Sequence, residues 1–262
     1  MTLELQAFGE HIMAKIFVAT TGRSGSMFLT EMMRVLTDIP SFHEEVPFCI
    51  GQTSYEINNN CISETTQRVL DAKMKQIDKN SNSIGDYFEA NNMFIKSFAW
   101  ETLKSFEDVY CIYLHRNPAD VFFSLGNRNW RKGYDWLLRP QWERSVIKVD
   151  YSTTYYEDLM LMWYEVKARF EQLKPRFKKT WDFNFKDLNN LDEYYRMLEH
   201  FEIPHKKTTR DVLAELKRNV GGDKETIEET LLRFRNGWER VKGVEWAYTT
   251  DVDTMKQVGI LF

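Results

Sequence analysis

Cysteine is scarce in this chain: Cys49, Cys61 and Cys111 are the three among 262 residues. The count is odd and no CxxC pair occurs, which argues against a disulfide framework and against a zinc site. The five histidines show no HxxxH spacing either. No apolar run is long enough to cross a bilayer, and the N-terminal stretch has no signal-like hydrophobic segment. Asn-x-Ser/Thr acceptors are absent throughout. Together these absences lead us to expect a reducing, cytoplasmic location and not a Golgi lumen. Excess positive charge is also missing. The formal net charge of −4 argues against nucleic acid or a heparin-like polyanion as the main partner, although a local basic patch remains compatible with it.

What is present is ordinary for a globular protein, with 43% hydrophobic and 28% charged residues. The length suits one large domain over residues 1–262, with 1–14 as an N-terminal extension and 224–262 as a C-terminal helical tail. Aromatics are plentiful at 15%. They fill either a core rich in Phe and Tyr or an aromatic-lined ligand cleft.

Along the chain, apolar β-branched runs alternate with helical periodicity. Lys15 to Thr20 predicts a buried strand, followed by a Gly/Ser turn and then by Phe28, Leu29, Met32, Met33, Val35 and Leu36 at helical spacing. Gln52 to Asn60 and Lys79 to Asn92 are polar and predict loops, whereas Met93 to Phe98 predicts a strand. Val109 to Leu114 predicts a central strand, with a helix beginning after Pro118. Glu157 to Leu173 predicts an amphipathic helix, Thr180 to Phe185 a last strand, and Leu191 to Phe201 a helix stopped before Pro204. The expected fold is α/β, a central parallel sheet flanked by helices.

Thr21-Gly22-Arg23-Ser24-Gly25-Ser26-Met27 lies between the first strand and the first helix. Unpaired N–H groups and the dipole at a helix N-terminus favour an anion there. The glycines let the chain curl around phosphate oxygens, Ser24 and Ser26 add hydroxyls, and Arg23 adds a permanent cation. The loop is P-loop-like without being the Walker pattern, because its basic residue precedes Gly25 instead of following it. A second constellation follows the strand at 109–114: His115-Arg116-Asn117-Pro118-Ala119-Asp120-Val121-Phe122-Phe123-Ser124. Arg116 stands at a strand's C-terminal end, where open α/β sheets bind ligands. Ser124 and Arg128 follow at helical spacing, which can bring two cations and a hydroxyl together on one further phosphate. Taken alone, Arg116 and Asp120 also suit a structural salt bridge at a helix start.

As a pair, these motifs resemble the PAPS-dependent sulfotransferase family. TGRSGSM is similar to its 5′-phosphosulfate loop and YLHRNPADVFFS to its 3′-phosphate motif. Trp163-Tyr164-Glu165 resembles its WWE-like helix, Asn184 to Leu188 stands in the place of its FYEDL segment, and Phe201 to Pro204 resembles FLGLP. Lys217 to Asp223 keeps the spacing of RKGxxGD with substitutions. The resemblance implies a P-loop-like nucleotide-binding fold, PAPS as cofactor without a metal, and a small-molecule or glycan acceptor. It carries cofactor contacts onto Thr21 to Met27, Arg116, Ser124, Arg128, Phe185, Lys217 and Arg218.

The departures concern catalysis. Ser26-Met27 replaces the usual Thr-Thr or Thr-Trp, losing one hydroxyl. Lys96-Ser97-Phe98 stands where the family's cytosolic branch has Lys-Thr-His, and phenylalanine takes no proton. In the tyrosylprotein branch a Glu-Glu pair follows the loop at similar spacing, which points to Glu45 as base, with Glu44 and His43 as adjacent alternatives. Sulfuryl transfer needs mainly positioning and charge stabilisation, which Arg23 and Lys96 would supply. Residues 127–150 interleave Trp130, Tyr134, Trp136 and Trp142 with Arg131, Lys132, Arg139 and Arg144, suiting either acceptor stacking or a packed lid. Two other readings remain open: a kinase using Gly22 to Ser26 for ATP, and a nucleotide-binding module without turnover.

Overall fold

The computed structural model describes residues 13–118, 120, 121, 124, 146, 147 and 155–206, with the side chains of 155–159 excepted. Five strands form one all-parallel sheet: β1 (Lys15–Ala19), β2 (Ser41–His43), β3 (Tyr87–Ala90), β4 (Val109–His115) and β5 (Lys179–Asn184). Their spatial order is β2-β3-β1-β4-β5. The helices are α1 (Ser26–Leu36), α2 (Gln52–Asn58), α3 (Glu64–Lys79), α4 (Ala99–Ser105), α5 (Tyr155–Leu173) and α6 (Leu191–His200). The chain is therefore α/β, with the expected parallel sheet between layers of helices.

Both faces of the sheet are covered, which is why β1 is apolar or buried at every position. Ile16, Val18 and Ile112 face Leu29, Met32 and Met33 of α1 and Met197 of α6. Phe17, Cys111 and Tyr113 face the other way, onto Leu70 of α3 and Val166 and Phe170 of α5. Side chains of alternate residues thus separate into two cores. Phe17 stacks on Phe94 with ring centroids 4.5 Å apart, and truncating such a buried ring costs about 3–5 kcal/mol.

The middle of the chain differs from expectation. Met93 to Phe98 is not a strand: Phe94–Phe98 is a wide helical turn running into α4. Asn91 starts it by accepting the Met93 N–H at 2.8 Å, and Phe94 and Phe98 meet edge to face on its inner side. The strand lies earlier, at Tyr87–Ala90, within the stretch expected to be loop. Gln52–Asn58 is likewise a helix and not a loop. The short strand β2 carries the segment after α1 into the sheet.

The strand order fixes where the sheet's switch point lies. From β1 the chain crosses to β2 on one side of the sheet, and from β4 it goes on to β5 on the other. β1 and β4 are neighbours, so the segments leaving their C-terminal ends diverge, which is where open α/β sheets bind ligands. The Gly/Ser loop follows β1, and Arg116 follows β4.

Candidate functional site

The loop after β1 is shaped by left-handed backbone. Gly22, Arg23 and Gly25 have φ of 78°, 53° and 89°. Gly25 caps α1 without a side-chain hydrogen bond, so the first-turn amides of α1 receive no side-chain acceptor from that position. A Cβ at Gly25 would lie 2.2 Å from Leu188 Cδ1 and 3.2 Å from the Phe185 ring. The loop is thus seated directly on the turn that follows β5. Within it, the Thr21 and Ser24 hydroxyls both donate to the Gly22 carbonyl at 3.1 Å, and Ser24 is wholly buried. Met27 is exposed on the first turn of α1.

Arg23 joins the loop to the segment after β4. Its Nε donates to Ser124 Oγ at 3.0 Å, and its carbonyl accepts from Arg116 Nη1 at 3.0 Å. The Arg116 guanidinium lies 4.0 Å from the Phe185 ring centroid, and the Trp163 indole N–H holds the Arg116 carbonyl at 3.1 Å. Burial pushes the Arg116 pKa down, against the pull of Asp120, whose carboxylate lies 3.8 Å away. Arg116 Nε is buried and has no hydrogen-bond partner, and the same holds for Thr20 Oγ1. Val121 N–H donates to the Asn117 carbonyl at 3.1 Å, so a helical turn does begin at Pro118. The structure therefore brings Arg23, Arg116, Ser124 and Phe185 into one cluster.

The acidic segment approaches the loop from the other side. His43, at the end of β2, places Nε2 3.0 Å from Ser26 Oγ. Burial holds its imidazole below the ordinary value, opposed by Glu44 and Glu89 and aided by Arg34. Glu44 has φ of 51°, and its carboxylate accepts from the Asn92 amide. Asn92 in turn lies beside Gly22, 3.6 Å from where a Cβ there would sit. Glu45 is held through its main chain: its N–H donates to Glu89 Oε1 at 3.1 Å, and its carbonyl accepts from Lys73 Nζ at 2.7 Å. Among the described residues its carboxylate has no hydrogen-bond or ion-pair partner.

No protein-family model matches the chain, and no curated protein matches its sequence. The site therefore stands on its own geometry.

Lys96 lies on the helical turn after β3 instead of on a strand, and it is buried. Its carbonyl accepts from Arg169 at 2.5 Å, while Glu165 binds the same arginine and the Val146 and Ile147 amides. The Trp163-Tyr164-Glu165 run thus steadies two segments at once. Phe98 is fully buried against Phe94 and Phe17. Arg128, Lys217 and Arg218, with the Trp- and Arg-rich stretch expected to choose the acceptor, lie outside the described residues, as do 1–12 and the tail. Sequence reasoning missed Asn92 and Glu89. The Asn91-Asn92 pair, placed where β3 ends, was the available signal for the first. Cys49, Cys61 and Cys111 are free thiols, and burial pushes Cys49 up to about 12, far from a nucleophile's range.

Proposed function

We propose that this chain is a sulfotransferase that takes the sulfuryl group of 3′-phosphoadenosine-5′-phosphosulfate to an acceptor hydroxyl. The observation that carries the reading is the meeting of two anion-suited segments at Arg23, through Ser124 on one side and Arg116 on the other. A ligand bridging them needs two separate anionic groups, as a nucleotide with 5′ and 3′ substituents has. The residues present fit such a group. The first-turn amides of α1 suit the 5′ phosphosulfate. Arg116, half-buried, with an Nε that makes no hydrogen bond beyond its 3.8 Å ion pair to Asp120 and a pKa lowered by burial, suits the 3′ phosphate, whose charge would offset its desolvation.

The cofactor supplies an activated sulfuryl group whose leaving oxygen belongs to a phosphate. This chain's residues orient and neutralise. Arg23 balances negative charge at the loop, and Ser26 is held in place by His43. Glu45, its carboxylate uncommitted and its main chain fixed, accepts the acceptor's proton. Glu44 and His43 are engaged by Asn92 and Ser26, which favours Glu45 within the trio. No described helix is long and apolar enough to cross a membrane.

Calorimetry with PAP, AMP and ATP tests the reading, together with transfer of radiolabelled sulfate to a panel of acceptors. PAP should bind more tightly than either comparator, and Arg116→Ala should weaken it by about 1.5–3 kcal/mol, roughly 10- to 150-fold. Equal affinity for PAP in Arg116→Ala, or a preference for ATP, refutes the assignment.

A further inference from the structure

The interior beside the acidic segment holds an ion pair that the proposed chemistry does not use. Lys73 of α3 and Glu89 of β3 are both wholly buried, with Nζ and Oε1 2.8 Å apart. Nearly every polar atom of the pair is engaged. Glu89 also accepts from the Tyr87 hydroxyl at 2.8 Å and from Asn91 Nδ2 at 2.8 Å, and Lys73 Nζ lies 5.2 Å from the Phe98 ring centroid. A buried ion pair is weak evidence for stability, since apolar residues of equal volume often serve as well. Both members of this one hold the same residue: Lys73 the Glu45 carbonyl and Glu89 the Glu45 N–H.

We propose that Lys73 and Glu89 are positioning residues, a buried clamp that fixes the main chain of Glu45 and so aims its carboxylate. The proposal rests on the sulfotransferase reading for its catalytic meaning, and on geometry alone for the clamp. Gripping both the N–H and the carbonyl of one residue removes the freedom of the two adjoining peptide planes. The left-handed Glu44, tied to the sheet through its N–H to the Ala90 carbonyl at 3.0 Å, fixes the approach from the other end. A proton acceptor misplaced by an ångström loses much of its effect, so such a grip bears directly on turnover.

The test uses the whole chain and two readouts: amide hydrogen exchange of the peptide covering residues 44–48, and the separate kcat and KM for PAPS. Lys73→Met leaves a buried carboxylate without its partner and should lower Tm by roughly 10 °C. In Lys73→Met/Glu89→Gln no charge is stranded, so most of that Tm returns. The grip on the Glu45 carbonyl is still gone, so exchange at 44–48 should rise and kcat should stay about 10-fold or more below the parent, with PAP affinity unchanged. Glu89→Gln alone keeps an oxygen for the Glu45 N–H and leaves Lys73 on its carbonyl but strands the buried ammonium, so Tm should fall as in Lys73→Met while kcat, measured below the melt, should fall less than in the double variant. Parental exchange at 44–48 in the double variant overturns the clamp whatever the protein catalyses. Raised exchange with parental kcat, or a loss in Glu89→Gln as deep as the double's, overturns its positioning role. A parent that transfers no sulfate refutes the sulfotransferase reading instead, while the exchange readout still decides whether the clamp exists.

Discussion

Replacing Gly25 by alanine should damage the site more than the same change at Gly22, and the structure says by how much. Both glycines have positive φ, 89° and 78°, so each alanine meets a backbone penalty of about 1–2 kcal/mol. At Gly22 the added methyl meets only ordinary contact, with Asn92 at 3.6 Å. At Gly25 it would sit 2.2 Å from Leu188 Cδ1 and 3.2 Å from the Phe185 ring. Neither neighbour has room to yield: Leu188 is 4% exposed within the core, its carbonyl held by the Tyr194 hydroxyl, and Phe185 lies against Arg116. Overpacking of this kind adds about 1–3 kcal/mol. Gly25→Ala should therefore lose roughly 2–5 kcal/mol, a Tm fall of roughly 5–20 °C, against roughly 2–8 °C for Gly22→Ala. Thermal melts followed by circular dichroism measure both. Leu188→Ala should rescue part of the Gly25→Ala loss in a double-mutant cycle, because it removes the atom that clashes. Equal Tm values for the two glycine variants, or no coupling to Leu188, would refute the seating of the loop on the turn after β5.

Three further outcomes follow from the same geometry. Glu45→Gln should lower turnover by about 10²-fold or more with PAP affinity nearly unchanged, whereas parental turnover with a collapse in Glu44→Gln or His43→Ala would move the base to a neighbour. His43 is held below its ordinary pKa in the folded state, so the unfolded chain binds its proton first as pH falls. Its contribution is neutral above the unfolded value, and stability is lost as pH drops through that value toward the lowered one. Tm should therefore decline on acidification below about pH 6.5, and less steeply in His43→Gln. Activity should survive EDTA, since Arg23 and the first-turn amides of α1 supply at the loop the positive charge that magnesium supplies in kinases; an absolute need for a divalent ion would favour the kinase reading.

The elements that a local pattern specifies were legible in the sequence. Lys15–Ala19, Val109–His115 and Lys179–Asn184 are strands within a residue or two of expectation, and α1, α5 and α6 follow their apolar periodicity. The loss came where the pattern depends on partners far along the chain. Tyr87–Ala90 contains Glu89, a charge that reads as surface until Lys73 covers it from α3. Met93 to Phe98 is a short apolar run, and such runs do not distinguish strand from buried helix by period. The deciding residue was Asn91, whose side chain starts a helical turn. Of the candidate site, Arg116 was legible from its place at a strand end, Arg23 from the Gly/Ser loop before a helix, and Ser124 from helical spacing. The hold on Glu45 was not, since it is made to main-chain atoms that carry no sequence signature.

The same strand-end logic separates a bisphosphorylated nucleotide from ATP. Arg116 Nη1 donates to a neutral carbonyl of Arg23, and Arg23 Nε donates to a neutral hydroxyl of Ser124. Both contacts already have an ionised donor, and an ionised acceptor makes such a contact shorter and stronger. A phosphate reaching Arg116 therefore gains over what it displaces, and it also offsets the burial that lowers the Arg116 pKa. ATP places all its charge on one chain of phosphates, and with those seated on the first turn of α1 nothing anionic remains for the β4 side. The existing hydrogen bonds then have no reason to open. On the proposed reading, a ligand with charge at both ends of its ribose would exchange them for stronger ones, so PAP should bind more tightly than ATP.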